Sequence, residues 1–87
     1  MEKGFVYILA CNNGTFYIGS TKSLRARVGE HRRGEVTSTK SLQPTKLVFF
    51  QEFATLPDAR RIELRLKKFK SRQIIDRIVK DQKILIK

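Results

Sequence analysis

One cysteine, Cys11, and one histidine, His31, are all that this chain of 87 residues contains of either type. A lone thiol cannot close an internal disulfide, and a lone thiol with a lone imidazole cannot build a zinc site, so a reducing cytoplasm is the expected home. Acids are also scarce: 8 Asp and Glu stand against 19 Lys and Arg, for a formal charge of +11. Long apolar runs are missing. Phe5 to Cys11 is apolar but far too short to cross a bilayer, and the charged head Met1-Glu2-Lys3 is too slight for an export signal. No internal repeat and no low-complexity segment breaks the chain. These absences set aside a disulfide-stapled secreted domain, a zinc module and a membrane span. They leave one small domain over residues 1–87 whose charge asks for a polyanion, nucleic acid ahead of an acidic membrane.

The stretch that organises the rest is a β-hairpin. Gly4 to Cys11 is a β-rich run, Asn12-Asn13-Gly14 is a turn signal, and Thr15 to Gly19 is a second run. Its loop length decides where two tyrosines point. A two-residue Asn13-Gly14 turn sets Ala10 opposite Tyr17 and sends Tyr7 and Tyr17 to opposite faces. A three-residue Asn12-Asn13-Gly14 loop sets Leu9 opposite Tyr17 and gives the phenols one face, with Gly14 suited to a left-handed last position. If the tyrosines act together, the three-residue loop is expected.

Beyond the hairpin, Ser23 can cap a helix running from Leu24 to Arg33, with Leu24, Val28 and His31 in one stripe and Gly34 as its stop. Residues 35–45 are polar and lack either period, which predicts a mobile surface loop. Lys46 to Phe53 reads as a third strand, apolar on both faces at its start and therefore expected in the middle of the sheet or covered on both sides. Thr55, Pro57 and Asp58 open a further helix whose buried stripe is expected to be Ala59, Ile62, Leu66 and Phe69. Glu63 falls at the edge of that stripe, and Leu64 and Lys67 on the solvent side. Ser71 can cap a last helix through Ile74, Ile75, Ile78 and Val79, and Ile84-Leu85-Ile86 is expected to pack on the domain. The fold class is α+β: a small three-stranded antiparallel sheet flanked by helices, in the order β-β-α-β-α-α.

Tyr7, Tyr17, Arg27, His31 and Glu63 all fall at inner edges of these elements. Singly, each has an ordinary explanation: a strand tyrosine as filler, an arginine solvated, a histidine packed, a glutamate neutralising Arg60 or Lys67. Together, in a basic chain, they suit phosphodiester hydrolysis. An attacking water must lose a proton, which a phenolate or an imidazole can accept. The extra charge on the pentacoordinate phosphate can be clamped by a guanidinium. A carboxylate can hold one Mg²⁺ or Mn²⁺ near the leaving oxygen.

The chain resembles the GIY-YIG nuclease superfamily, and its stand-alone single-domain bacterial members in particular. Phe5-Val6-Tyr7 stands where the family has Gly-Ile-Tyr, and Tyr17-Ile18-Gly19 is its second half intact. Leu24 to His31 resembles the family's leucine-x-x-arginine helix with a His or Tyr four residues later, and Ala59 to Glu63 the segment that supplies the metal-binding glutamate. The resemblance implies that Tyr17 activates or positions the water, Tyr7 hydrogen-bonds at the same site, Arg27 binds the scissile phosphate, His31 assists proton transfer and Glu63 is the sole protein ligand of one divalent metal. Phenols ordinarily titrate near 10 and imidazoles near 6.5, so either Tyr17 with help or His31 can be the base. The departures are the missing first glycine, replaced by Phe5; Ser20 where excision-repair members carry a lysine, with Lys22 two positions on; and no asparagine after Asn13, so that Arg72 or Ser71 would have to stand in.

The expected activity is a metal-dependent endonuclease on DNA, branched or single-stranded substrates included and RNA also open, of low sequence specificity and fitted to repair or recombination. A chain this small has no separate specificity module, and a protein partner remains open. Grip on phosphates would fall to Lys22, Arg25, Arg32, Arg33, Lys40, Lys67, Lys70 and Arg72. The alternatives are a non-catalytic nucleic-acid-binding module of the same fold and an interaction domain whose charge is incidental.

Overall fold

The computed structural model describes residues 2–69 and 71–84. Lys70, and Leu85 and Ile86 of the expected C-terminal packing, lie outside the described residues. The elements follow the predicted order: β1 (Gly4–Ala10), β2 (Phe16–Thr21), α1 (Leu24–Arg32), a 3₁₀ turn (Lys40–Leu42), β3 (Lys46–Phe53), α2 (Leu56–Phe69) and α3 (Arg72–Asp81).

The hairpin closes with three residues. Cys11 N–H donates to Thr15 O at 2.9 Å and Gly14 N–H to Cys11 O at 3.0 Å. Gly14 takes the left-handed conformation, φ 83°, which a side chain would disfavour. Leu9 therefore pairs with Tyr17 and Tyr7 with Gly19, and both phenols share a face.

The sheet order is β2-β1-β3, so β3 is an edge strand, not the middle one. The central place belongs to β1, where Val6, Ile8 and Leu9 are fully buried. The apolar start of β3 misled because the two faces of the sheet are covered unequally. Phe49 points to the α2–α3 side and is buried in the core. Phe50, on the other face, is 52 % exposed and packs edge-on against Phe5. A β-bulge opposite Ile8 and Leu9 resets the β3 register.

One face of the sheet carries the main core: Val6, Ile8, Ile18 and Phe49 against Ala59, Ile62 and Leu66 of α2 and Ile75 and Ile78 of α3, closed by Ile84. Area removed from water by such side chains is the main favourable term for a chain of this size. Phe69, expected in that stripe, is 46 % exposed; it sits in the last turn of α2, past the end of the sheet's apolar surface. On the opposite face α1 buries Val28 and His31.

Caps explain the helix ends. Thr55 Oγ1 accepts from Asp58 N–H at 3.2 Å and Ser71 Oγ from Ile74 N–H at 3.3 Å, as expected. Ser23 holds the N-cap position of α1 without a side-chain cap bond; Thr21 Oγ1 instead accepts from Ser23 N–H at 3.1 Å. Gly34, φ 72°, ends α1, with Glu35 N–H returning to Glu30 O at 2.9 Å. Residues 35–45 are not a simple surface loop. Val36, Thr39 and Thr45 are buried, and Asn12 N–H donates to Leu42 O at 3.0 Å. The anchoring partners lie on the hairpin and α1, where no local pattern announces them.

Candidate active site

The site forms at the exposed edge of β2, where side chains from both faces of the sheet converge. Tyr7 and Tyr17 come from the α1 face of the hairpin, Ser20 from the α2 face, Arg27 from α1, and Arg60 and Glu63 from α2. These residues line one open cleft of about 260 Å³, floored by Gly19 and flanked by Leu64. Ser20, Arg27 and Arg60 continue into an adjoining groove of about 460 Å³ that Lys22 also lines.

Gly19 is there because Tyr7 is. A methyl group built on Gly19 would meet the Tyr7 ring 2.5 Å from Cζ, far inside contact distance. The phenol of Tyr7 lies flat across the bare backbone of its cross-strand partner. The final glycine of the Tyr17-Ile18-Gly19 motif is thus a packing requirement of the tyrosine in the first motif.

Behind the cleft runs a buried polar chain. Tyr7 is 1 % exposed and His31 and Thr39 fully buried. Tyr7 Oη and His31 Nε2 are 3.0 Å apart, and His31 Nδ1 and Thr39 Oγ1 are 2.7 Å apart. Gln43 Nε2 donates to the His31 carbonyl and holds the next stretch of chain over it. The Tyr17 ring packs on His31 at 4.9 Å and on Tyr7 at 6.3 Å between centroids. His31 does not line the cleft; it stands one residue behind it.

Burial pushes the Tyr7 phenol up to about 12, against the pull of the Arg27 guanidinium. Burial, aided by the Arg27 charge, holds the His31 imidazole below its ordinary value of about 6.5. Both groups are therefore neutral at neutral pH. A neutral imidazole between two hydroxyls donates from one nitrogen and accepts at the other. Because the folded value of His31 lies below the unfolded one, its neutral form contributes stability that is present above about pH 6.5 and lost as the pH falls through the folded value. Urea midpoints recorded from pH 7.5 to 4.5 are expected to fall with acid, and His31→Gln to remove the part of that slope that begins near 6.5.

Glu63 is the one carboxylate in the cleft, with its side chain 15 % exposed. Oε1 accepts from the Ser20 hydroxyl, and Oε2 is paired with the Lys67 ammonium one helical turn on. Lys67 is exposed, as expected, yet its four-residue spacing lets its ammonium reach Glu63 and sit 5.9 Å from the centre of the Tyr17 ring. Among the described residues no group of three His, Cys, Asp or Glu side chains converges. The donor set is one carboxylate beside a hydroxyl, open to water. That fits a hard ion of the magnesium type, which takes one or two carboxylates and fills its remaining positions with water and phosphate oxygens.

Arg27 forms an ion pair with Glu30 at 2.9 Å and keeps its guanidinium at the cleft wall. Of the other cations expected to grip phosphates, Lys22 and Lys67 border the cleft system. Arg25, Arg32, Arg33 and Lys40 are exposed and lie away from its walls, Arg33 being paired with Glu35. Arg72 is anchored by an N–H donated to Gly14 O at 2.7 Å, and Ser71 is occupied as a helix cap. Three contributors escaped the sequence reading. Arg60 precedes Glu63 by three residues and so shares its helix face; Ser20 alternates onto the α2 side with Ile18. Both were legible from periodicity. Thr39 had no such signal.

An α+β fold built on this hairpin gathers two phenols, guanidinium groups and one glutamate in a common cleft. Residues 3–75 match the family described as the GIY-YIG catalytic domain. The chain belongs to the GIY-YIG family. It is 36 % identical over 74 residues to the UPF0213 protein of Staphylococcus epidermidis, covering 84 % of this chain and 90 % of that one. It is 35 % identical over 83 residues to the UPF0213 protein of Staphylococcus aureus, covering 94 % of this chain and all of that one. The solution NMR structure of the UPF0213 protein from Bacillus halodurans superposes with a TM-score of 0.57 at 30 % identity, covering 90 % of this chain and 83 % of that one.

Proposed function

We propose that the protein is an endonuclease that hydrolyses phosphodiester bonds of DNA with little sequence preference and requires one divalent ion, Mg²⁺ or Mn²⁺. The observation that carries this reading is the shared cleft of Tyr7, Tyr17, Arg27 and Glu63. Glu63, with Ser20 beside it, would hold the ion; when bound, such an ion polarises a phosphate oxygen and neutralises charge near the leaving group.

The chain's own residues supply the rest. Arg27 and Arg60, on facing walls, bind the non-bridging oxygens of the scissile phosphate and hold it in register. Tyr17 positions the attacking water. Tyr7 accepts a proton from that water while its own phenolic proton passes to His31 Nε2. The Nδ1–H tautomer, donating to Thr39 Oγ1, leaves Nε2 free to accept. This route makes the tyrosine and the histidine joint actors: His31 supplies the basicity that a phenol held near 12 lacks, and Tyr7, itself almost fully buried, supplies the place on the cleft lining that His31 lacks. Arg27, close to the phenol, favours any negative charge that develops on Tyr7 Oη. Supercoiled plasmid incubated with Mg²⁺ or Mn²⁺ tests the reading: nicked circles are expected with metal, none with chelator.

One observation favours the second reading, a binding module without catalysis. Lys67 already neutralises the carboxylate that the ion needs. The nuclease reading requires Lys67 to yield Oε2, so Lys67→Ala is expected to tighten Mn²⁺ binding by about fivefold, the worth of a well-placed ion pair. Mn²⁺ titration followed by electron paramagnetic resonance, on the protein without DNA, reads this directly. Unchanged Mn²⁺ affinity together with gel shifts and no nicking would favour the module.

A further inference from the structure

A second concavity lies beside the cleft along β2, and no step of the proposed hydrolysis uses it. Its floor is apolar: Ile18, Leu66 and Ile75. One wall is the Phe16 ring, and its rim carries two cations, Lys67 and Arg72. The volume is about 260 Å³. The rim is built rather than loose. The Arg72 guanidinium stacks 4.5 Å from the centre of the Phe16 ring, is tied to the hairpin by its N–H to Gly14 O at 2.7 Å, and pairs with Asp76 at 3.4 Å. An ordinary surface arginine leaves its head group free; this one is held over an aromatic ring and tied to the hairpin.

We propose that this pocket receives one unpaired nucleobase of the strand whose phosphate lies in the neighbouring cleft, so that the substrate is nucleic acid with an unstacked nucleotide at the cut site. The inference rests on the nuclease reading for the placement of that phosphate. An apolar floor with a π-surface on one side and cations at the rim matches a nucleotide, whose base is flat and apolar on its faces and whose phosphate is anionic. Lys67 lines the pocket and pairs with Glu63 of the cleft, so it links the two concavities. Ser20 in the cleft and Ile18 in the pocket floor are two residues apart on one face of β2, about 7 Å. Bases inside a duplex are stacked and cannot reach the floor. An unpaired base in a bulge, flap or single strand can.

Three fluorescein-labelled DNA substrates of one sequence test this with the full chain: a perfect duplex, the duplex with a three-nucleotide bulge, and the same bulge made of abasic residues. Binding is read by anisotropy in chelator, and cutting is read with Mn²⁺. The intact bulge is expected to bind about tenfold more tightly than the abasic bulge. Phe16→Leu, which keeps the floor apolar, and Arg72→Lys, which keeps the charge, should each shrink that ratio towards one. Equal binding of intact and abasic bulges by the wild type, with nicking intact, overturns the base pocket and leaves the nuclease reading standing. A preserved base dependence with no cutting in Mn²⁺ does the reverse. A ratio that survives both substitutions also overturns the pocket.

Discussion

Glu63→Gln is expected to lower metal-dependent DNA cleavage about a thousandfold, the equivalent of roughly 4 kcal/mol of lost transition-state stabilisation. The amide keeps the shape and the acceptor that Ser20 uses, so the cleft does not collapse. It removes the only carboxylate among the cleft residues. Stability should move little, by under about 1 kcal/mol, because Glu63 lies at the edge of α2 and takes no part in the core. DNA binding is the discriminating measurement. Lys67 loses its partner, one positive charge in the cleft is freed, and affinity for DNA at low salt should hold or rise slightly. Cleavage that survives the substitution removes the metal from the mechanism as written. Cleavage and binding that fall together point to a misfolded α2 instead, which far-ultraviolet circular dichroism would reveal.

Gly19→Ala should have the largest effect among small substitutions. The added methyl meets the Tyr7 ring, and Tyr7 has nowhere to retreat. Its ring is buried, its hydroxyl is bonded to His31, and His31 is held by Thr39. Overpacking of this kind costs about 1–3 kcal/mol. Whatever movement relieves it displaces the phenol from the water it is to receive, so cleavage per folded molecule should fall at least about a hundredfold, the scale of losing a positioned acid–base group. Gly14→Ala is the control. Gly14 has a positive φ but nothing within 4 Å of an added methyl, so it should lose about 1 kcal/mol and keep full activity per folded molecule. Urea midpoints and initial cleavage rates, measured on both variants, separate a strained turn from a disturbed site. If Gly19→Ala is as benign as Gly14→Ala, the packing of Tyr7 on Gly19 is not what positions the phenol.

The two variants also mark how far local pattern carries. Alternation along two strands tied a common face of Tyr7 and Tyr17 to a three-residue loop, while Asn12-Asn13-Gly14 left the two-residue turn open as well. The helix starts at Thr55 and Ser71 followed from capping chemistry, and the edge position of Glu63 from the helical period. Each depends on residues within a few positions of one another. Lys67 sat within the same reach: it stays exposed, as its charge predicted, while its four-residue spacing from Glu63 also lets the two pair.

The amino-acid order by itself determined the elements and their sequence, because turn signals and side-chain period are local properties of the chain. Only the tertiary structure decided that the hairpin loop has three residues and its phenols one face, that β1 is central and β3 an edge, that Phe50 is left exposed, that the polar stretch after Gly34 folds back to put Thr39 against His31, and that His31 stands behind Tyr7 rather than in the cleft. Those outcomes depend on which distant surfaces bury one another. Apolar residues that can pack equally well against several partners carry no mark of the one they meet.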